Sequence, residues 1–319
     1  MMTRLITLAV GIALLLGVLF YANPHQVIKL VSIGDKPLLL LSIFISFLAL
    51  VLRALKWKIL VGSISLPQLL PVQTLGIAIS SLTPAKVAEP VKALILRAVT
   101  GVPVARSLPT IIWERVLDLL VLLLFASLAF YHFASHFWFA SLVFLTFLLV
   151  IALLLASLKL EQMGKLLLKI CRFLRIRVDE RFLRIFYTSR VKTERIIASF
   201  FVTLVVWLLD GLVFYFCLLA IWKEVSIGYA TIVAYWAFSL LAGLLSSLPG
   251  GIGSADAVMV FLLLMEGVEQ SIAGASVLLA RAMTLGLGML AGYISLLYLR
   301  RRVELLKTEN LFQLRTTKL

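Results

Sequence analysis

Three sets of ionisable residues in this chain have the types and spacing to do chemistry. Glu114 and Asp118 are four apart, which puts both carboxylates on one face of a helix, with Arg115 three residues from Asp118. Lys86, Glu89 and Lys92 recur at intervals of three and would line a single helical stripe. Asp256, just past a Gly-rich break, and Arg281, on a long apolar segment, make up a third set in the C-terminal half. Arginine offers a planar fork of donors that binds phosphate in a bidentate manner, so Arg115 and Arg281 suit an anion. Glu89, Asp118 and Asp256 suit a cationic group or a coupling proton.

The medium decides how much these charges mean. The chain is 319 residues long, 62% hydrophobic and 14% charged, with a mean hydropathy of +1.11. That leaves too little polar surface to cover a soluble core. Apolar runs long enough to cross about 30 Å of hydrocarbon recur along the chain, which reads as an all-α polytopic membrane protein. An ionisable side chain at the centre of such a span costs about 2.5–3.5 kcal/mol on insertion scales, so a buried cluster needs partners and marks a functional position. The net charge of +15 reads as membrane orientation rather than as a nucleic-acid surface.

The elements that position these residues are built around a phrase that occurs twice. Ser80-Ser81-Leu82-Thr83-Pro84 breaks one apolar run, and Ser246-Ser247-Leu248-Pro249-Gly250-Gly251-Ile252-Gly253 breaks another. Each is followed by a short apolar segment, a Gly-Val turn and a long segment carrying an arginine. A shift of 166 residues places Gly101 on Gly267 and Arg115 on Arg281. Self-similarity at one offset signals an internal repeat, and paired Pro/Gly interruptions in corresponding halves of a membrane protein point to the working site. Pro84, Pro249, Gly250, Gly251 and Gly253 are therefore expected to hold broken-helix backbone whose free N–H groups attract anions.

In order, the sequence predicts a first span over Leu5–Ala22, a short external loop over residues 23–37 and a second span over Leu38–Leu60. Arg53, Lys56, Trp57 and Lys58 mark the cytoplasmic end of that second span. A run over Leu66–Ser81 stops at Thr83-Pro84, and a helix is expected over Ala85–Ala98. Further spans cover Ser107–Phe130, Phe139–Leu158 and Ile196–Ile221, followed by an apolar run over Tyr229–Ser247, a short helix over Ala255–Glu266 and a long one over Ser271–Leu299. Between Lys159 and Arg195 lie eleven basic residues and four acidic ones, a cytoplasmic loop that includes an amphipathic helix suited to an anionic inner leaflet.

If both broken segments are re-entrant hairpins, about six full transmembrane helices remain, every basic cluster lies inside with both termini, and the halves form an inverted repeat. The alternative is about eight spans. The expectation is one transmembrane domain over residues 1–303, with halves over about 38–131 and 196–300 joined by the basic loop 159–195, and a polar tail over 304–319. The setting is a multi-pass protein of the cell membrane.

Blander readings stand beside these. Glu114, Arg115 and Asp118 could be an internal ion-pair network, Lys92 and Arg97 could snorkel to headgroups, and Asp210 could hydrogen-bond to a neighbouring backbone. Cys171 and Cys217 make no disulfide framework, and His25, His132 and His136 suggest no metal site. No cofactor is expected, and no G-x-x-x-x-G-K-[ST] loop is present to bind a nucleotide.

With these residues in place, the sequence resembles the transmembrane, flippase-like family named after lysylphosphatidylglycerol synthase. The resemblance rests on Pro84-x-x-x-x-Glu89-x-x-Lys92, on Trp113-Glu114-Arg115-Val116-Leu117-Asp118, and on Leu248-Pro249-Gly250-Gly251-Ile252-Gly253 followed by an acid and later by Arg281. Ala88, Lys92 and Asp256 depart from the Gly, Arg and Glu usual in the family. The resemblance implies a stand-alone member without the aminoacyl-transferase domain. It also implies translocation of a membrane phospholipid or a polyprenyl-phosphate-linked lipid, with Lys86, Glu89, Lys92, Glu114, Arg115, Asp118, Asp256 and Arg281 as substrate-binding residues. An integral-membrane enzyme using Glu114 or Asp118 as general base, or a non-catalytic membrane subunit, are the other expectations.

Overall fold

The computed structural model describes residues 24–133, 182, 185–186 and 188–300. The sequence readings over Leu5–Ala22, Tyr131–Leu158, most of the basic loop and the tail 304–319 lie outside the described side chains. The described residues are all helical, without strands. The helices are α1 (Pro24–Ile33), α2 (Lys36–Val61), α3 (Leu66–Ser81), α4 (Val91–Thr100), α5 (Val104–Phe133), α6 (Thr193–Ile221), α7 (Tyr229–Leu245), α8 (Ser254–Met265) and α9, which runs over Gln270–Arg300 with a π-helical turn at Ala282–Gly286. Three of them, α2, α6 and α9, are long and apolar enough to cross a membrane by length and composition.

Residues 24–33 are a correction to the sequence reading, which made them a loop because of their prolines. Pro24 instead opens α1 and Pro37 sits in the first turn of α2, both positions where a missing N–H costs nothing. The turn between them is tied to α6 by the Asp35 N–H, which donates to the Ala220 carbonyl at 2.9 Å.

Helix α2 packs along α6, and the residues it buries include the small Ser42, Ser46, Ala49 and Ala54 beside Ile45, Leu50, Trp57 and Leu60. Small residues let two helices approach closely where lipid offers no hydrophobic driving force. The opposite face presents Leu40, Phe44 and Phe47, all exposed, as expected of a surface that meets hydrocarbon. Glycine serves the same end between α3 and α9, where a Cβ on Gly292 would lie 2.3 Å from the Ala78 Cβ.

The two Pro breaks begin alike and differ at the second place of the turn, where Gly250 of the second is itself left-handed at φ 61°. Thr83 and Leu248 are extended, and three-residue 3-10 turns follow at Pro84–Lys86 and Pro249–Gly251. In each the third residue is left-handed, Lys86 at φ 56° and Gly251 at φ 65°. The first break is held by the Thr83 hydroxyl, which donates to the Ser80 carbonyl at 2.8 Å and accepts from the Ala88 N–H at 3.2 Å. The helix expected over Ala85–Ala98 begins only at Val91. Pro90 has no N–H to donate and disfavours helical backbone at Glu89, so residues 87–90 turn rather than coil. After each break a short helix ends at a left-handed glycine, Gly101 at φ 75° and Gly267 at φ 77°, before the long helix begins. The two breaks touch each other.

Candidate functional site

The charged residues of α2, the first break, α4 and α5, with Gln73 of α3, assemble in two layers. The deeper one is sealed. Glu114 and Lys92 are wholly buried, with Lys92 Nζ 2.5 Å from Glu114 Oε2. Gln73 links them: its Nε2 donates to Glu114 Oε1 at 2.8 Å, and its Oε1 accepts from Lys92 Nζ at 3.1 Å. Lys56, also buried, donates to Asp118 Oδ1 at 2.6 Å and lies 3.8 Å from Glu114 Oε1. The Lys92 ammonium stands 4.9 Å from the centre of the Trp57 ring, whose N–H donates to the Thr110 hydroxyl at 3.0 Å. Gly76 makes room for the lysine stem, since a Cβ there would fall 2.1 Å from Lys92 Cγ.

This corrects two sequence readings. Lys56 and Trp57 are not interfacial anchors at the end of α2 but core partners of α5, and Lys92 does not snorkel. A cation in an apolar interior is tolerable only when paired and hydrogen-bonded, and these are.

The shallower layer faces a cavity of about 560 Å³ between the two breaks, walled by α2, α3, α5, α6, α7 and α9. Arg115 bridges outward from α5, with its NH2 2.7 Å from Asp118 Oδ2 and its NH1 3.0 Å from Glu89 Oε2. Glu89 Oε1 is also 2.8 Å from Lys92 Nζ. These contacts have ion-pair distances without hydrogen-bond angles, and both Glu89 oxygens and Arg115 Nε remain without a hydrogen-bond partner. Asp118 accepts in addition from the Trp207 N–H at 3.2 Å. Across the cavity Arg53 pairs with Asp210, which is therefore bound to a side chain of α2 and not to backbone.

The second break contributes less charge. Asp256 Oδ2 accepts from the Gly253 N–H at 2.7 Å and so caps α8, while its Oδ1 accepts from Arg281 Nε at 2.5 Å. Thus Arg281 and Asp256 are first of all each other's partners. The Arg281 guanidinium also lies over the Trp236 ring, 5.5 Å from its centre.

Of the residues singled out in the sequence, Lys86, Glu89, Arg115, Asp118, Arg281, Gly250 and Gly251 line the cavity, and Lys92, Glu114, Asp256, Pro84, Pro249 and Gly253 support it from behind. Lys86, Glu89 and Lys92 do not share a helical stripe, because the chain turns between them, although Glu89 and Lys92 still meet. Arg53, Asp210, Trp207, Trp236 and Ser46 also line the cavity, and the sequence reading assigned none of them to it. Two signals were usable: Asp210 is a lone acid near the middle of an apolar run, and Arg53 and Lys56 are three apart in another, where the bias of cations toward cytoplasmic ends hid them. Among the described residues no three of His, Cys, Asp and Glu converge as a metal ion requires.

A family description, lysylphosphatidylglycerol synthase TM region, matches residues 7–292 of this chain. The chain belongs to that family. The match takes in both breaks, the sealed layer and all the residues of the cavity. A UPF0104 membrane protein of Methanocaldococcus jannaschii is 24% identical over 94% of this chain and 96% of its own length. One of Pyrococcus horikoshii is 25% identical over 94% of this chain and 98% of its own length, and one of Methanothermobacter thermautotrophicus is 23% identical over 86% and 89%. Membership together with the apolar helices makes this a multi-pass membrane protein.

The site carries a charge imbalance. Arg53, Lys56, Lys86, Lys92, Arg115 and Arg281 face five carboxylates, Glu89, Glu114, Asp118, Asp210 and Asp256. Five of those six cations lie within ion-pair distance of a carboxylate. Lys86 has no such partner among the described residues. It is also the one held in left-handed backbone, a conformation that costs a non-glycine residue roughly 1–2 kcal/mol.

Proposed function

We propose that this protein moves a phosphate-bearing lipid headgroup, of a phospholipid or a polyprenyl-phosphate-linked lipid, between leaflets. The observation that carries this reading is the cavity itself, with one more cation than carboxylate around it and walls of Leu50, Ile111, Val116, Leu122 and Leu240. A phosphate supplies the missing negative charge, and the apolar walls suit what is attached to it. Lys86 and Arg115 would meet the phosphate, and Arg281, stacked on Trp236, would approach it from the second half.

The proposed topology is about six full spans with two re-entrant segments in the cell membrane, both termini cytoplasmic, the halves forming an inverted repeat within one domain. Support comes from the two proline-led turns with one hydrogen-bond pattern, each followed by a short helix and a left-handed glycine. Rocking of one half against the other would then expose the cavity to each side in turn. An enzymatic role with Glu114 as base draws no support from the geometry, since that carboxylate is sealed from the cavity and engaged by Lys92 and Gln73.

Translocation of a labelled phospholipid in proteoliposomes tests the reading. Wild type is expected to move the label, and Arg115→Ala to do so about 10- to 100-fold more slowly, the loss of one charged hydrogen bond to phosphate. Equal rates in the two proteins would remove Arg115 from the site, and an inactive wild type over a range of phospholipids would remove the function.

A further inference from the structure

Among the described residues, the buried side-chain atoms without a hydrogen-bond partner are Ser46 Oγ, both Glu89 oxygens, Arg115 Nε and Trp236 Nε1. All four residues line the same cavity. Buried polar groups are nearly always satisfied, so their gathering on one surface says what that surface faces.

Two of these residues lie outside the charged layer, and like residues nearby are satisfied. The hydroxyls of Ser42, Thr74 and Ser276 donate to carbonyls of their own helices, as buried helical hydroxyls commonly do. The Ser46 hydroxyl, on the buried face of α2, does not. The indoles of Trp57 and Trp207 donate to Thr110 and Asp118. That of Trp236 on α7 does not, although its ring is 3% exposed and packs against the Phe214 ring at 5.2 Å, with Arg281 over it. The ring is thus fixed by its neighbours while its N–H, a donor only, stays unused.

We infer that Ser46 and Trp236 form a second, uncharged contact wall that binds an acceptor oxygen of the ligand whose phosphate meets Lys86 and Arg115. This rests on the headgroup reading above and narrows it. Glu89 can only accept, Trp236 and Arg115 can only donate, and Ser46 does either. The matching ligand carries hydrogen-bond donors and acceptors together beside its phosphate, as hydroxyl or primary-amine phosphodiesters do. A choline phosphodiester, with no N–H or O–H, adds no hydrogen bond to the Glu89 oxygens beyond their ion pairs with Lys92 and Arg115.

The full chain in lipid-free detergent, titrated with phosphatidylglycerol, phosphatidylethanolamine and phosphatidylcholine of one acyl composition, tests this. Phosphatidylglycerol and phosphatidylethanolamine are expected to bind at least about tenfold more tightly than phosphatidylcholine. Ser46→Ala and Trp236→Phe are each expected to weaken phosphatidylglycerol about fivefold or more. Ser46→Ala removes an unpaired buried hydroxyl, so its melting temperature should be unchanged or higher, which separates lost binding from lost folding. Competition by glycerophosphoglycerol as effective as the lipid would support the wall and assign it to a soluble phosphodiester. Unchanged affinities in both variants, or phosphatidylcholine bound as tightly as phosphatidylglycerol, would overturn the inference while leaving a phosphate site intact. A wild type that binds none of the three lipids would overturn the headgroup reading beneath it.

Discussion

The first break and the second share a proline-led turn and its hydrogen-bond pattern but carry different chemistry. Around Pro84 the turn ends in Lys86, a cation without an ion pair among the described residues, and is followed by Glu89, which is held between Lys92 and Arg115. Around Pro249 the turn is Gly250, Gly251 and Gly253, with one ion pair behind it. The glycines there are sterically required: a Cβ on Gly251 would sit 3.1 Å from the Cα of Gly243 in α7, and Gly250, at φ 61°, lies against the first break at Ser81. Where the two breaks touch, one half supplies charge and the other supplies close fit. A left-handed residue is needed at the third place of both turns. Glycine fills it in the break that packs on Gly243, and lysine fills it, under strain, in the break that carries the charge. Strain of this kind persists where the surrounding structure over-determines it and gathers at functional positions.

The contrast can be broken at its two supporting carboxylates. Glu114→Ala removes the nearest carboxylate from wholly buried Lys92, which keeps Glu89 at 2.8 Å and Gln73 at 3.1 Å, and is expected to cost at least about 3 kcal/mol. Asp256→Ala removes a helix cap and one partner of a less buried arginine, and is expected to cost about 1–3 kcal/mol. Thermal unfolding of both variants in one detergent checks the order, and equal losses would dissolve the distinction between a sealed charged half and a fitted one.

The smallest expected effect is the most informative about the turn itself. Lys86→Gly relieves the left-handed backbone at some cost in unfolded-chain entropy, for a net gain of roughly 0.5–1 kcal/mol. The same variant removes the unpaired cation, so it should melt higher while binding or moving anionic lipid less well. A variant that melts lower, with lipid binding unchanged, would make Lys86 a structural residue.

Much of this arrangement was legible in the chain. Proline and glycine act on the backbone locally, so the breaks at Pro84 and Pro249 and the turns at Gly101 and Gly267 could be read directly. Helix extents followed from apolar run lengths, as with Leu66–Ser81 and Ile196–Ile221. The same local reading failed at residues 24–33, where prolines that open helices were taken for loop markers. It failed again at residues 86–92, where charges three apart imitated a helical stripe that Pro90 prevents. Pairing between helices was not legible at all. Lys56 with Asp118, Lys92 with Glu114 and Arg53 with Asp210 are contacts across tens of residues or more, and spacing along one helix carries no information about what faces it. Ser46 and Trp236 were invisible for a further reason, since an unsatisfied hydroxyl or indole is defined by what surrounds it in space.

The most direct test of the central claim is a cryo-electron microscopy map of the full chain in nanodiscs with the phospholipid it moves fastest. The expected result is headgroup phosphate density between the two breaks, within about 3 Å of Lys86 Nζ and Arg115 Nε. Phosphate density confined to the outer surface of α2, α6 and α9, with the cavity holding none while the same preparation moves lipid, would contradict it.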